Sequence, residues 1–248
     1  MNRISIPALI NSYFFRHLKF KIEKVDRTFE HKRSRLIFDL KPDIVIDGGA
    51  NIGQWALELH KAHPQLEVWS FEPLEKSRQL LELQASKRSS VWKVFPFAIG
   101  KEEGKKRLNI ASNEQMSSSF LNPSFHTRLR PDILFDDTEE VSVVTLDSIR
   151  QDLIRFESIF LKLDVQGSEL DAILGGLRVL DKVSMIEIES SFTPLYEGET
   201  AHHELISSIK ALGFTPWFIN VPSSDSSGRQ FALDTILVRN DLIPRIYF

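Results

Sequence analysis

Cysteine is absent from all 248 residues. Disulfides, thiolate metal sites and thiol nucleophiles are excluded together, and any chemistry falls to hydroxyls, carboxylates, amines and imidazoles. The absence suits a reducing compartment, and a cytoplasmic protein is expected. No apolar run approaches the roughly 18 to 20 residues of a membrane span, and the amino terminus lacks a signal peptide's apolar stretch and cleavage site. No transmembrane segment is expected. An excess of either charge is also missing, with 31 Lys and Arg against 34 Asp and Glu. A formal net charge of −3 gives the average surface no attraction for nucleic acid, and no such partner is expected.

What is present suits a folded chain: 42% of residues are hydrophobic, enough for one large domain rather than a disordered one. Residues 1–35 depart from the mild acidity. Arg3, Arg16, Lys19, Lys21, Lys24, Arg27, Lys32, Arg33 and Arg35 alternate there with Phe14, Phe15, Leu18, Phe20 and Ile22. The pattern predicts a basic, partly amphipathic helical appendage over residues 1–40 that packs on the core or on a second subunit, giving a homo-oligomer. Peripheral membrane contact through residues 1–35 is the alternative.

From there, apolar β-branched runs alternate with helical ones. Strands are predicted near Ile44–Asp47, Glu67–Glu72, Val91–Ala98, Ile159–Asp164, Val183–Glu189, Phe214–Asn220 and Phe231–Val238, and helices near Trp55–Ala62, Glu75–Ser86, Ser168–Leu174 and His202–Leu212. The early strands are continuously apolar, which indicates a mostly parallel α/β sheet covered on both faces over residues 41–248, with ligands at the strands' carboxyl ends. Two stretches interrupt the alternation. Residues 107–146 read as a short β pair, "KRLNIA" and "VSVVTL", around a long polar insert of the kind that forms a lid. "NVPSSDSSGRQ" reads as a flexible hairpin loop between the last two strands.

The stretch "DIVIDGGANIGQW" runs from a strand through Asp47, Gly49, Ala50, Asn51 and Gly53 into a helix. Such a turn lets a ligand lie against bare backbone at a helix amino terminus. Its spacing is neither G-x-G-x-x-G nor a P-loop, which disfavours a nicotinamide-dependent oxidoreductase. Nineteen residues beyond Gly53 stands Glu72 in "FEP", where a carboxylate at the end of the next strand can accept both hydroxyls of a ribose before Pro73 stops the strand. In "LKLDVQGSE", a buried strand delivers Asp164 to the sheet edge, and Glu169 begins a helix whose dipole suits its charge.

These residues resemble the FkbM-type family of S-adenosylmethionine-dependent methyltransferases. The resemblance rests on "IDGGANIG", "FEP", "FAIGKEEG", "VTLDSI", "FLKLDVQGSELDAILGG" and "IEIE", in order over about residues 40–240. It implies a class I methyltransferase fold, a Rossmann-like seven-stranded mostly parallel sheet flanked by helices. It further implies that Asp47, Gly49, Ala50, Asn51 and Gly53 line the methionine half of S-adenosylmethionine, that Glu72 holds the ribose with Pro73 beside it, and that Ala98 lies beside the adenine; Asp164 is expected to touch the cofactor as well, at the edge where cofactor and substrate meet. Ser118 and Ser119, in "QMSSSF", occupy a serine-containing stretch similar to the family's and could hydrogen-bond the cofactor or a sugar. Gly48 is more often aliphatic in the family, and Gln166 stands where a glutamate is common.

The activity implied is methyl transfer to a hydroxyl of a small molecule or glycan, a sugar in polysaccharide, glycolipid or natural-product pathways, with S-adenosylhomocysteine as product. A hydroxyl acceptor needs its proton removed as attack proceeds. The candidates are Asp164 first, then Glu169, Glu189 and His126. Several acids could accommodate a divalent metal, but no ligand spacing calls for one. The competing reading is a non-catalytic scaffold that retains the cofactor fold. His60, His63, His202 and His203 read as surface histidines, and the four tryptophans as core and cofactor-shell packing.

Overall fold

The computed structural model describes residues 28–88, 91–220 and 228–246. In chain order these form α1 (Phe29–Leu40), β1 (Ile44–Gly48), α2 (Gln54–Ala62), β2 (Glu67–Phe71), α3 (Glu75–Ser86), β3 (Trp92–Phe95), β4 (Ala98–Ile99), β5 (Gly104–Ile110), α4 (Phe125–Leu129), β6 (Asp137–Val144), β7 (Ile159–Leu163), α5 (Glu169–Leu174), β8 (Val183–Ser191), α6 (His202–Ala211), β9 (Phe214–Asn220), β10 (Ala232–Arg239) and α7 (Ile243–Ile246). The first 27 residues of the predicted basic appendage, and residues 221–227 of the predicted hairpin loop, lie outside the described residues. Among the described residues no helix is long and apolar enough to cross a membrane.

Seven strands make one sheet in the order β3-β2-β1-β7-β8-β10-β9. All neighbours are parallel except at β10, which runs antiparallel to both β8 and β9. Side chains alternate across the sheet, so each strand feeds two cores. Ile44, Ile46, Leu161, Leu163, Ile186 and Ile188 face one layer, while Val45, Val68, Phe160, Met185 and Ile236 face the other, under α1, α2 and α3. Both sets are buried, which is why these strands read as unbroken apolar runs.

Helix α1 starts at Thr28, whose side chain accepts from the His31 amide at 3.2 Å. It lays Leu36 and Ile37 on the second core, and Arg33, one turn before Ile37, is buried with them. The predicted strand Val91–Ala98 is in fact two. Pro96 offers no backbone donor to the ladder, so β3 ends at Phe95, and Ala98–Ile99 leaves the main sheet to pair with β6. The predicted "KRLNIA"/"VSVVTL" pair is present as β5 and β6, which complete this three-stranded sheet. His60 is not a surface residue: it is buried edge-on against Trp92, with Nε2 3.0 Å from the Leu66 carbonyl.

Candidate active site

The turn after β1 is shaped first by the chain itself. Gly49 has φ of 75°, and a Cβ there would stand 1.9 Å from the Asp164 carbonyl oxygen, so glycine is what lets β1 and β7 end side by side. A Cβ on Gly53 would meet Leu81 at 2.7 Å and Trp92 at 3.0 Å; that glycine serves the packing of α2 on α3 and β3. Asn51, itself at φ 48°, donates its backbone N–H to Glu72 Oε2 at 2.8 Å. The Leu74 amide donates to Glu72 Oε1 at 2.9 Å. Both carboxylate oxygens are thus fixed at the end of β2, at 6% exposure. Burial pushes the Glu72 carboxyl up to about 7, against the pull of the two amide donors.

Glu72 borders a narrow cavity of about 60 Å³, lined with Pro73, Ala98, Leu108, Ser118 and Phe120. Beyond the turn opens a cleft of about 1000 Å³. Its floor is the carboxyl end of the sheet, where Lys162, Asp164, Glu187, Glu189 and Asp234 emerge, and its walls come from α1, α2 and α4. Gly49, Asn51, Met116, Asp164 and Gln166 line both spaces. The two cavities therefore meet at the Asp164–Gln166 loop.

The floor is an ordered charge layer. Lys162 Nζ lies 3.2 Å from Asp47 Oδ1 and 3.7 Å from Asp164 Oδ2, and donates to the Gly49 carbonyl at 3.3 Å. Asp47 is fully buried and lines neither cavity; it accepts from Ser70 Oγ at 3.0 Å and holds Lys162 behind the turn. Arg33 of α1 donates to both oxygens of Glu187, at 2.9 and 3.3 Å, and pairs with Glu58. The Trp55 indole N–H completes Glu187 at 2.8 Å. Glu187 is raised by burial, with Arg33 opposing. Glu189 is raised well above the usual carboxylate range, by burial first and then by Asp164 beside it.

The predicted acid and base candidates separate in space. Asp164, Glu189 and His126 reach the cleft, and Ala50 borders it. Glu169 does not: it is buried beneath the loop, where Oε1 accepts from the Val165 and Gly167 amides at 2.9 and 3.2 Å. Burial pushes its carboxyl up to about 8. His126 is lowered by burial, and its Nδ1 is enclosed without a hydrogen-bond partner. Ser118 Oγ accepts from the Ala111 amide at 3.0 Å, whereas Ser119, fully buried, donates to the Gln166 carbonyl at 2.6 Å. Sequence reasoning missed Lys162, Arg33, Asp234 and Tyr196. A charge at an inward position of an apolar strand, as in "FLKLD", was the available signal for Lys162.

A model of the methyltransferase FkbM domain matches residues 47–216. The chain belongs to the FkbM methyltransferase family. It is thus an S-adenosylmethionine-dependent methyltransferase. It is 28% identical over 167 residues to the 2-O-methyltransferase NoeI of Sinorhizobium fredii, covering 64% of this chain and 68% of that one. It is 26% identical over 199 residues to the 31-O-demethyl-FK506 methyltransferase FkbM of Streptomyces tacrolimicus, covering 71% and 75%. The crystal structure of methyltransferase FkbM from Methylobacillus flagellatus aligns over 78% of this chain with a TM-score of 0.50 at 18% identity, a likeness of fold. This chain spans 43% of that larger protein.

Proposed function

We propose that the protein methylates a hydroxyl of a small molecule, a sugar of a polysaccharide, glycolipid or natural product, with S-adenosylmethionine in the narrow cavity and the acceptor in the wide cleft. The observation that carries this reading is the meeting of the two cavities at Asp164 and Gln166. The residues suit the cofactor: Glu72 keeps one lone pair on each oxygen for a ribose hydroxyl, and Ala98, Leu108 and Phe120 give an apolar slot for a base. The free volume of about 60 Å³ is less than a nucleoside occupies, so the cavity widens as the cofactor enters.

When bound, S-adenosylmethionine supplies an electrophilic methyl group on its sulfonium. The chain's own part is positioning and proton removal. Asp164, partly exposed between the cavities, takes the acceptor's proton, with Glu189 beside it and Lys162 offsetting the charge beneath. Calorimetric titration with S-adenosylmethionine, S-adenosylhomocysteine and NAD is the first test, followed by transfer of labelled methyl to a panel of glycosides. Binding of the two sulfur nucleotides alone is expected. Failure of both to bind would sink the reading.

A further inference from the structure

Gln166 sits at φ 50°, in the left-handed region, just beyond β7. Its Nε2 is 2.7 Å from Asp164 Oδ1 and 2.7 Å from Glu189 Oε2, so each amide proton serves one carboxylate. Its Oε1 accepts from the Tyr196 hydroxyl at 3.0 Å. That contact orients the amide, since the reversed side chain would set its carbonyl against two carboxylates. Tyr196 is 2% exposed, and its hydroxyl also lies 2.8 Å from the Ser117 carbonyl. A single proton thus faces two acceptors. Ser117 belongs to the segment that roofs the narrow cavity, held there by Ser77 Oγ donating to Gln115 Oε1 at 2.6 Å and by Asn51 Nδ2 donating to the Glu114 carbonyl at 3.1 Å.

We propose that Gln166 is the positioning residue of the carboxylate pair and that Tyr196 couples it to the seating of Ser117, so that closing the cofactor cavity and setting the two carboxylates are one event. The proposal rests on the reading that Asp164 and Glu189 face the acceptor hydroxyl. A glutamate at position 166 would bring a third carboxyl to the same point, with at most one donor and only when protonated, whereas the glutamine amide gives each carboxylate a donor. Hydrogen bonds donated to a carboxylate favour its charged form, so losing these donors raises the pair's proton affinity. The groups around the pair are Lys162 from β7, Asp47 from β1, Asp234 from β10, Glu169 from α5, Glu187 from β8, and Tyr196 and Glu199 from the segment before α6. Lys162 is the cation beside the pair, 3.7 Å from Asp164 Oδ2, and Arg33 of α1 pairs with the neighbouring Glu187.

Carbon-13 NMR titration of the Asp164 and Glu189 carboxyls, in the ligand-free full chain, tests the first half. Gln166→Asn keeps a residue tolerant of left-handed backbone but shortens the arm, and should move the pair's titration upward by about half a pH unit or more. Gln166→Glu should move it the same way, which serves if the asparagine variant fails to fold. Tyr196→Phe tests the coupling: it should raise the titration and also speed amide exchange across residues 113–118 by about tenfold. An unmoved titration in the Gln166 variants overturns the positioning role. Faster exchange with an unmoved titration in Tyr196→Phe overturns the coupling. Neither readout needs an acceptor, so failure to methylate any glycoside would count against the proposed function and not against this network.

Discussion

Lowering the pH from 8 to 6 should weaken S-adenosylmethionine binding about tenfold, through Glu72. The folded-state carboxyl titrates at about 7, so it is roughly nine-tenths ionised at pH 8 and one-tenth at pH 6. Ribose hydroxyls donate to the ionised form, whose two oxygens each hold one backbone amide and keep one site free. In the ligand-free protein the sign is opposite. A carboxyl raised by burial stabilises the fold most below its unfolded value of 4.5, and that contribution is lost as pH rises through about 7. The loss amounts to about 3 kcal/mol. Binding should therefore release about half a proton at pH 7, measurable by calorimetry in two buffers of different ionisation enthalpy. Glu72→Gln should flatten the pH dependence and weaken binding at pH 8 by about 1 to 3 kcal/mol. A flat wild-type profile, or a slope that survives in Glu72→Gln, would refute the reasoning.

Asp164→Asn should lower kcat by about a hundredfold or more while cofactor affinity stays near wild type, and equal loss in both would make Asp164 a binding residue instead. Arg33→Met should leave Glu187 buried without its guanidinium and cost about 3 kcal/mol in urea unfolding; an unchanged midpoint would show that the pair contributes nothing. Gly49→Ala meets both the positive φ and the Asp164 carbonyl, and should cost at least about 2 kcal/mol, so a variant of native thermal stability would contradict the close approach. Lys162→Met should cost about 3 to 5 kcal/mol because fully buried Asp47 loses its ion pair, and adding Asp47→Asn should recover part of that; simple addition of the two costs would argue against the pairing.

Most of the sheet could be read from the sequence because its order is written in local patterns. Runs such as Ile44–Ile46 and Ile159–Leu163 are buried on both faces, and the intervening helices begin and end within a residue or so of their predicted limits. The glycine turn was equally visible, but its reason was only half visible. A positive φ can be guessed from "GGANIG", whereas the carbonyl against Gly49 belongs to Asp164, 115 residues later, where no local pattern points. The split at Pro96 was available from the missing donor alone.

The cleft was less legible because its side chains act through partners distant in the sequence. Asp47, Lys162, Glu187, Glu189 and Asp234 all occupy the sheet face that, deeper in the sheet, carries Val45, Phe160, Met185 and Ile236. A linear reading sees isolated charges at inward positions and has no way to balance them. The balance comes from Arg33, which lies outside the matched residues 47–216 and answers Glu187 across 154 positions. An unpaired buried charge costs several kcal/mol, so Asp47 and Glu187 each meet a cation, Lys162 and Arg33, while Glu189 and Asp234, without one among the described residues, are pushed up by burial. It follows that α1 is part of the cleft wall as well as the core: the helix that buries Leu36 and Ile37 also delivers the cation that holds Glu187 and Trp55 in the cleft lining.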